Sequence, residues 1–205
     1  MREKVVIALR DKFPGETCWI VGKGPSLRHL RADHFGAGPV ITINESILIV
    51  QEFGLSNPIY SMQKDGCNLA VLGNRCAGEC EMKRRMVYPH EDVTAILQYP
   101  EYSENCMPKH ELKLYVDPIE DLGFQSTAEM SIRMCVAIAK IMGCGEVVFM
   151  CCDSLEGIFE TYNPRTEEFT DLVSGHYAYV APQIMEDVKE MPHWIVTPQM
   201  EGSLC

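Results

Sequence analysis

The most distinctive chemical motif of the chain is a glycine-rich turn that directly follows a short apolar run. The stretch CWIVGKGPSL, residues 18–27, contains Gly22, Lys23, Gly24 and Ser26. Two glycines allow the backbone to approach an anion closely, and a serine can cap the next helix or bind an oxygen atom. A helix that begins here adds the positive end of its dipole. The motif lacks the Lys-Ser/Thr ending of a P-loop and the third glycine of a dinucleotide site, so a phosphate site and a tight turn both remain open.

Polar side chains also follow three later apolar runs of strand length. They are Asn44 after VITI, Gln63, Lys64 and Asp65 after IYSM, and Asp153 after EVVFMCC. Asn44 can contact a base or a ribose, or cap the next helix. Lys64 beside Asp65 can hold a phosphate or a metal-bound phosphate, or form a surface ion pair. The Asp153 carboxylate can orient a metal, a hydroxyl or a base, or cap the following helix.

A histidine stands beside a glycine in the segment SGHYAY, residues 174–179. Its unperturbed pKa of about 6.5 suits His176 to the role of general base. The neighbouring Tyr177 can stack on a ligand or hydrogen bond to it. The alternatives are a solvated loop histidine and a tyrosine that packs the loop against the protein.

The chain contains ten cysteines, and five of them lie in or beside apolar segments, where a thiol acts as a small hydrophobic group. These five are Cys18, Cys135, Cys144, Cys151 and Cys152. The residues that could instead form a zinc site are Cys67, Cys76, Cys80, Cys106, His90 and His110. The C-x8-C-x3-C spacing of the first three is not that of a recognised zinc ribbon or finger. The sequence therefore favours free thiols over a metal site.

Alternating strands and helices are predicted to position these residues. Strands are predicted at 17–22, 38–44, 57–63, 92–98, 112–117, 146–153 and 193–198, and helices at 26–35, 45–54, 126–143 and 181–191. In the clearest helix, 126–143, Ser126 or Thr127 can act as the cap, and Glu129 supplies the acid of a capping box. The alternation predicts an α/β fold, a Rossmann-like three-layer sandwich with a mostly parallel sheet.

Two segments interrupt the alternation, 64–91 and 154–180, and both are rich in polar residues. Ligands of open α/β sheets bind at the carboxyl ends of the strands, where insertions of this kind often form lids. The whole chain, residues 1–205, is predicted to be one nucleotide-binding domain with these two insertions.

Composition and charge exclude several classes of partner. A formal net charge of −11 disfavours nonspecific binding to nucleic acids and to anionic membranes. No apolar run is long enough for a transmembrane helix, and the apolar stretch at 5–9 is too short for a signal peptide. We therefore expect a cytoplasmic protein without a membrane span.

Together these motifs resemble the bacterial family 42 sialyltransferases and the related proteins of the archaeal 6-hydroxymethylpterin diphosphokinase type. The resemblance is carried by VGKGPSL, by ITIN, by the block STAEMSIRMCVAIAKIMGCGEVVFMCCDS, by the later GH and by the final Thr-Pro. It implies that Gly22, Gly24 and Ser26 lie against the nucleotide phosphate and ribose. It also implies that Asn44 contacts the nucleotide and that Ser126 and Thr127 lie near the donor.

The sialyltransferase resemblance further implies that His176 takes the proton from the acceptor hydroxyl while cytidine monophosphate leaves the anomeric carbon without a metal. The diphosphokinase branch implies ATP and magnesium instead, with Asp65 and Asp153 at the metal. Lys23 stands where those sialyltransferases commonly have Asn. The expected function is a nucleotide-dependent transferase, sialyltransferase-like, with a CMP-type nucleotide-sugar donor and an unspecified acceptor. The alternatives are an ATP- and Mg-dependent pterin-type diphosphokinase and a non-catalytic nucleotide-binding module.

Overall fold

The computed structural model describes residues 3–63, 87, 89–98, 107, 109–126, 130–171 and 174–199, with only the backbone of 174–178. Its strands are β1 Thr17–Val21, β2 Val40–Ile43, β3 Ile59–Gln63, β4 Thr94–Gln98, β5 Lys113–Val116, β6 Glu146–Met150, β7 Glu160–Asn163, β8 Glu168–Asp171 and β9 His193–Val196. Seven of them form one sheet in the order β5-β4-β3-β2-β1-β6-β9, and all its neighbouring pairs are parallel. The predicted α/β fold with a mostly parallel sheet is confirmed.

The helices differ more from the prediction than the strands do. The α-helices are α1 Val5–Ala8, α2 Ile47–Val50, α3 Ser131–Ile141 and α4 Ser174–Val188. Short 3₁₀ helices cover Pro25–His29, Ala32–His34, Asn44–Ser46, Gln51–Phe53 and Asp153–Glu156. The helix predicted at 26–35 is thus two 3₁₀ helices, because Leu30 between them is extended with ψ 139°. The helix predicted at 45–54 keeps a single α-helical turn at its centre.

The predicted cap of the long helix was wrong for Ser126. Helix α3 begins at Ser131, and Met130 precedes it in an extended conformation with φ −66° and ψ 137° and no side-chain cap. Met130 is therefore the residue that flanks the helix, and α3 begins after it. Ser126 is an exposed residue of the preceding irregular segment.

The segment predicted as a polar insertion at 154–180 contains regular structure. It forms the antiparallel hairpin of β7 and β8 and then the beginning of α4. Pro182, which is typical of a first helical turn, lies well inside α4. The helix predicted at 181–191 therefore begins about two turns earlier than its proline indicates.

Two hydrophobic clusters on opposite faces of the sheet establish the three layers. Alternate strand residues supply them: Ile20 and Phe149 belong to the cluster beneath α1, α3 and α4, whereas Val21 and Val148 belong to the cluster on the other face. The five cysteines predicted to act as hydrophobic groups are all buried free thiols, as predicted. Among the described residues, no helix is both long and apolar enough to cross a bilayer.

Candidate functional site

The order of the strands creates a topological switch point beside β1. From β1 the chain adds β2, β3, β4 and β5 on one side, and it then returns to place β6 on the other side. The connections after β1 and β6 consequently pass to opposite faces of the sheet, because Leu27 after β1 packs in one hydrophobic cluster and Val180 after β6 packs in the other. Ligands of open parallel sheets bind in the crevice at the carboxyl edge of such a switch point.

A cavity of about 280 Å³ occupies this crevice. Its walls come from the loops after β1, β2 and β6, from the start of α3, from β7 and from α4. The lining residues are Gly22, Lys23, Gly24, Ile43, Asn44, Met130, Ser131, Ile132, Cys151, Cys152, Asp153, Ser154, Leu155, Glu160, Thr161, Val180, Ala181 and Ile184. Five of the residues selected from the sequence are thereby brought together: Gly22, Lys23, Gly24, Asn44 and Asp153.

The two glycines of the loop after β1 are required by close packing against the loop after β6. A Cβ atom on Gly24 would lie 2.3 Å from Cγ of Asp153, and one on Gly22 would lie 2.5 Å from the carbonyl oxygen of Cys151. Both distances are far below van der Waals contact. Any residue other than glycine would push the two loops apart and alter the cavity that both loops line.

Asp153 fixes the loop after β1 from the neighbouring strand. Its carboxylate is 1% exposed, accepts the backbone N–H of Ser26 at 2.7 Å and accepts the Ser26 hydroxyl at 2.6 Å. Each carboxylate oxygen therefore receives one donor, and the pair of bonds caps the 3₁₀ helix Pro25–His29. Hydrogen bonds to a buried charged group are among the stronger ones in proteins, so this contact holds the two strand ends together.

Three backbone N–H groups of the glycine loop are already satisfied within the protein. Gly22 donates to the carbonyl of Met150 and Gly24 to that of Cys151, both at 2.8 Å. With the Ser26 N–H bound to Asp153, three donors of the loop have internal acceptors. A bound anion would thus depend on side chains more than on this backbone.

Lys23 is the cationic side chain among the described residues of the cavity wall, and it forms an ion pair. Its Nζ lies 2.6 Å from Oε2 of Glu45, and their side chains are 23% and 13% exposed. Glu45 follows β2 directly, so this pair joins the loops after β1 and β2. The charge of Lys23 is consequently balanced in part before any ligand binds.

Asn44 occupies a left-handed backbone conformation, with φ 50°, at the end of β2. Asn44 is buried, and its backbone carbonyl oxygen accepts a hydrogen bond from Nε2 of Gln63 at 3.3 Å. Ser46 accepts the N–H of Ile43 at 2.9 Å and donates to the carbonyl of Val21 at 3.0 Å. The hydrogen bonds of Gln63 and Ser46 therefore fix the backbone at the end of β2. Of these three residues, only Asn44 lines the cavity.

Two thiols border the cavity, and both are held in the protonated form. Burial raises the pKa of the Cys151 thiol to about 12 and that of the Cys152 thiol well above its usual range. The thiolate is the nucleophilic form of cysteine, and it is not populated near neutral pH at such a pKa. The two side chains thus serve as apolar packing, which agrees with their assignment from the sequence.

The wall opposite the sheet edge comes from the hairpin and α4. Glu160 and Thr161 reach the cavity from β7, and α4 adds an apolar surface of Val180, Ala181 and Ile184. The hairpin is attached to the glycine loop, because the Tyr162 N–H donates to the carbonyl of Lys23 at 2.7 Å. Arg28 also lies over the ring of Phe169, 5.3 Å from its centroid, and that ring packs against the Tyr162 ring at an angle of 40°.

The remaining predicted site residues are distributed as follows. His176 and Tyr177 were predicted in a polar insertion without regular structure, and this was wrong because both lie on the first turns of α4. Ser126 does not line the cavity. Lys64, Asp65 and Thr127, together with Cys67, Cys76, Cys80 and Cys106, lie outside the described residues.

The two histidines of the possible zinc set have other partners. His90 lies 3.1 Å from Oε1 of Glu52, and the buried ring of His110 hydrogen bonds through Nε2 to the carbonyl of Val93 at 2.8 Å. Within the part of the chain that the structure describes, no group of three or more His, Cys, Asp or Glu side chains could hold a metal ion.

Sequence reasoning missed the outer side of the cavity. Glu160, Thr161 and the apolar face of α4 were not selected, although a signal for the hairpin exists. The runs ETYN and EFTD contain aromatic and β-branched residues, and Asn163-Pro164 between them is a turn signal. Comparison of the chain with protein-family models, with curated proteins and with solved structures finds no match.

Proposed function

We propose that the protein is a nucleotide-dependent transferase whose nucleotide binds in the cavity between the carboxyl ends of β1 and β6. The position of the cavity at the topological switch point carries this proposal, because open parallel α/β sheets bind nucleotides there. The close packing of Gly22 and Gly24 supports it, since it shapes the floor of the cavity.

The charge of the cavity wall favours a donor with one phosphate, as in a CMP-type nucleotide sugar. Lys23 is the single cation among the described lining residues, and Glu45 balances it. Asp153 and Glu160 add negative charge to the same wall. A diphosphate or triphosphate would meet net repulsion from these groups unless further cations joined it.

In the proposed transfer, the oxygen of an acceptor hydroxyl forms a bond to the anomeric carbon of the donor sugar. The bond between that carbon and the phosphate oxygen breaks, and its electron pair leaves with the nucleoside monophosphate. The hydroxyl proton passes to a base, for which His176 on α4 is our candidate. Hydroxyl groups in the cavity, such as that of Ser131, would stabilise the charge that develops on the leaving phosphate.

One observation weighs against the diphosphokinase alternative. Magnesium prefers carboxylate oxygens that are free to coordinate it, whereas both oxygens of Asp153 accept hydrogen bonds from Ser26. A non-catalytic nucleotide-binding module would share the same cavity and differ in turnover. The dependence of nucleotide binding on magnesium therefore separates the proposed transferase from a diphosphokinase. Formation of a transfer product separates it from a non-catalytic binding module.

The direct test is a thermal-shift and calorimetric screen of CMP, UDP, ADP, GDP and ATP, with and without MgCl₂. We expect CMP to bind without magnesium, and a ligand at a hundred times its Kd raises the free energy of unfolding by about 2.7 kcal/mol. Ala181→Phe, which places a ring in the cavity, should abolish the shift, whereas Glu190→Phe at an exposed position should not. If no nucleotide raises Tm at millimolar concentration, the proposal is wrong.

A further inference from the structure

We propose that Glu160 determines the specificity of the cavity for a sugar, and that its carboxylate accepts hydrogen bonds from the hydroxyl groups of a sugar joined to the nucleotide. This inference rests on the proposed nucleotide site and adds a residue that recognises the transferred group. The charged side chains at the cavity differ in whether they already form ion pairs or hydrogen bonds within the protein.

Three ionisable side chains with charge at neutral pH line the described part of the cavity: Lys23, Asp153 and Glu160. Lys23 is paired with Glu45, and Asp153 is bound twice by Ser26. Glu160 is exposed, and among the described residues its side chain forms neither a hydrogen bond nor an ion pair. Its carboxylate is therefore the charged group at this cavity that is available to a ligand without breaking an existing contact.

The hairpin holds Glu160 at a defined distance from the glycine loop. Tyr162, two positions later on β7, donates its N–H to the carbonyl of Lys23 at 2.7 Å. Since a strand rises about 3.3 Å per residue, Glu160 lies about 7 Å along β7 from that anchored point. A ligand whose phosphate lies near Lys23 would thus present the group attached to the phosphate to Glu160.

The chemistry of a carboxylate restricts what it can meet there. It repels a phosphate, so it must face another part of the ligand. In the metal-independent transfer proposed above, the sugar joined to the phosphate offers hydroxyl groups, and their hydrogen bonds to a carboxylate are short and strong because the acceptor is charged.

The neighbours of Glu160 favour a sugar over a simple alcohol. Thr161 also lines the cavity, with its hydroxyl donating to the carbonyl of Thr170 at 3.4 Å, while Val180, Ala181 and Ile184 of α4 present an apolar surface. A pyranose carries hydroxyl groups around its edge and C–H bonds on its faces. The cavity offers polar groups and an apolar surface in that combination.

The test compares Glu160→Ala with Glu168→Ala. Glu168 is an exposed carboxylate on β8 of the same hairpin, opposite Asn163, and it does not line the cavity. Both variants lose one negative charge from the same element. The Kd values of wild type and both variants are measured calorimetrically, with and without MgCl₂, for CMP, UDP and GDP and for CMP-N-acetylneuraminate, UDP-galactose and GDP-mannose. Circular dichroism checks that the variants fold.

We expect Glu160→Ala to weaken binding of the preferred nucleotide sugar by about tenfold to a hundredfold, since a hydrogen bond to a charged group is lost. In Glu160→Ala, the Kd of the bare nucleotide should change by less than about twofold. Glu168→Ala should change neither the Kd of the nucleotide nor that of the nucleotide sugar.

Each other outcome overturns the inference in a recognisable way. If wild type binds nucleotides and Glu160→Ala binds nucleotide sugars equally well, Glu160 does not recognise the sugar, and the nucleotide site stands. If Glu160→Ala weakens binding of the bare nucleotide as much as that of the nucleotide sugar, the carboxylate contacts the nucleotide itself. If affinity falls only when MgCl₂ is present, the carboxylate contacts a metal ion. If wild type binds none of the six compounds, the proposed function fails and this inference fails with it.

Discussion

The two sides of the cavity differ in how far their polar groups are already engaged. The inner wall, residues 22–26 and 151–153, is mostly buried, and the N–H groups of Gly22, Gly24 and Ser26 and the Asp153 carboxylate have partners within the protein. The outer wall, residues 160–161 and 180–184, presents an exposed carboxylate beside an apolar helix face. Under the proposed function, the inner wall would set the shape of the site and the outer wall would select the ligand.

The inner wall shows the features of a rigid structure. Cys151 has a left-handed backbone conformation, with φ 54°, and Gly22 and Gly24 have no space for a Cβ atom. Such positions persist only where the surrounding packing determines them. Function at this wall therefore depends on stability, and substitutions there should be detected first as unfolding.

The largest expected effect is that of Gly24→Ala. Its Cβ would lie 2.3 Å from Cγ of Asp153 and would displace the carboxylate from Ser26. Overpacking costs about 1–3 kcal/mol and a lost hydrogen bond to a charge costs a further 1.5–3 kcal/mol. We expect the free energy of unfolding, measured in urea, to fall by about 2.5–6 kcal/mol on this basis.

Gly123→Ala is the matched control for this change. Gly123 has φ 73°, and a Cβ atom added there would have no other atom within 4 Å, so alanine meets only backbone strain. That strain costs about 1–2 kcal/mol. Equal losses in the two variants would show that the inner wall can relax and would remove the distinction between the walls.

The second effect concerns the thiol of Cys151 at alkaline pH. Burial raises its pKa to about 12, whereas in the unfolded chain it titrates near 9. Above pH 9 the unfolded state loses this proton and the folded state retains it, so stability falls as pH rises towards 12. The slope that this thiol contributes is about 1.4 kcal/mol per pH unit.

Urea unfolding between pH 8 and pH 10.5 measures this slope. Above about pH 10, where the unfolded-state thiol is largely deprotonated, Cys151→Ala should make the wild-type decline shallower by about 1.4 kcal/mol per pH unit, because one titrating thiol is removed. Ser154→Ala, at a lining residue without an ionisable side chain, should leave the slope unchanged. An unchanged slope in Cys151→Ala would mean that water reaches the inner wall from the cavity.

Much of the inner wall could be predicted from the sequence because its signals are local. The strands are short apolar runs, and each of the residues considered lies within three positions after the end of a strand. They are Gly22, Gly24, Asn44 and Asp153. Parallel strands bring such positions to one edge without further information. Seven predicted strands are present in the sheet for the same reason.

The outer wall could not be predicted in the same way because its signals depend on tertiary structure. Glu160 looks like any charged residue of a polar segment until the hairpin is attached to Lys23 through Tyr162. Pro182 indicates a helix start, although α4 has already run for about two turns. The ion pair of Lys23 with Glu45 likewise joins loops that follow different strands, so the charge at Lys23 cannot be assessed from the motif alone.

The smallest expected effect is that of Arg28→Ala on the attachment of the outer wall. The guanidinium lies 5.3 Å from the centroid of the Phe169 ring, and an exposed contact of this kind stabilises by about 0.5–1 kcal/mol. Its loss should let the hairpin open more often, so hydrogen exchange of the Tyr162 amide should accelerate about two- to fivefold. Arg31→Ala, which removes an exposed pair with Asp33, should leave that amide unaffected. Equal exchange rates in wild type and Arg28→Ala would indicate that the outer wall is held as firmly as the inner one, and the contrast between the two walls would then lie in chemistry alone.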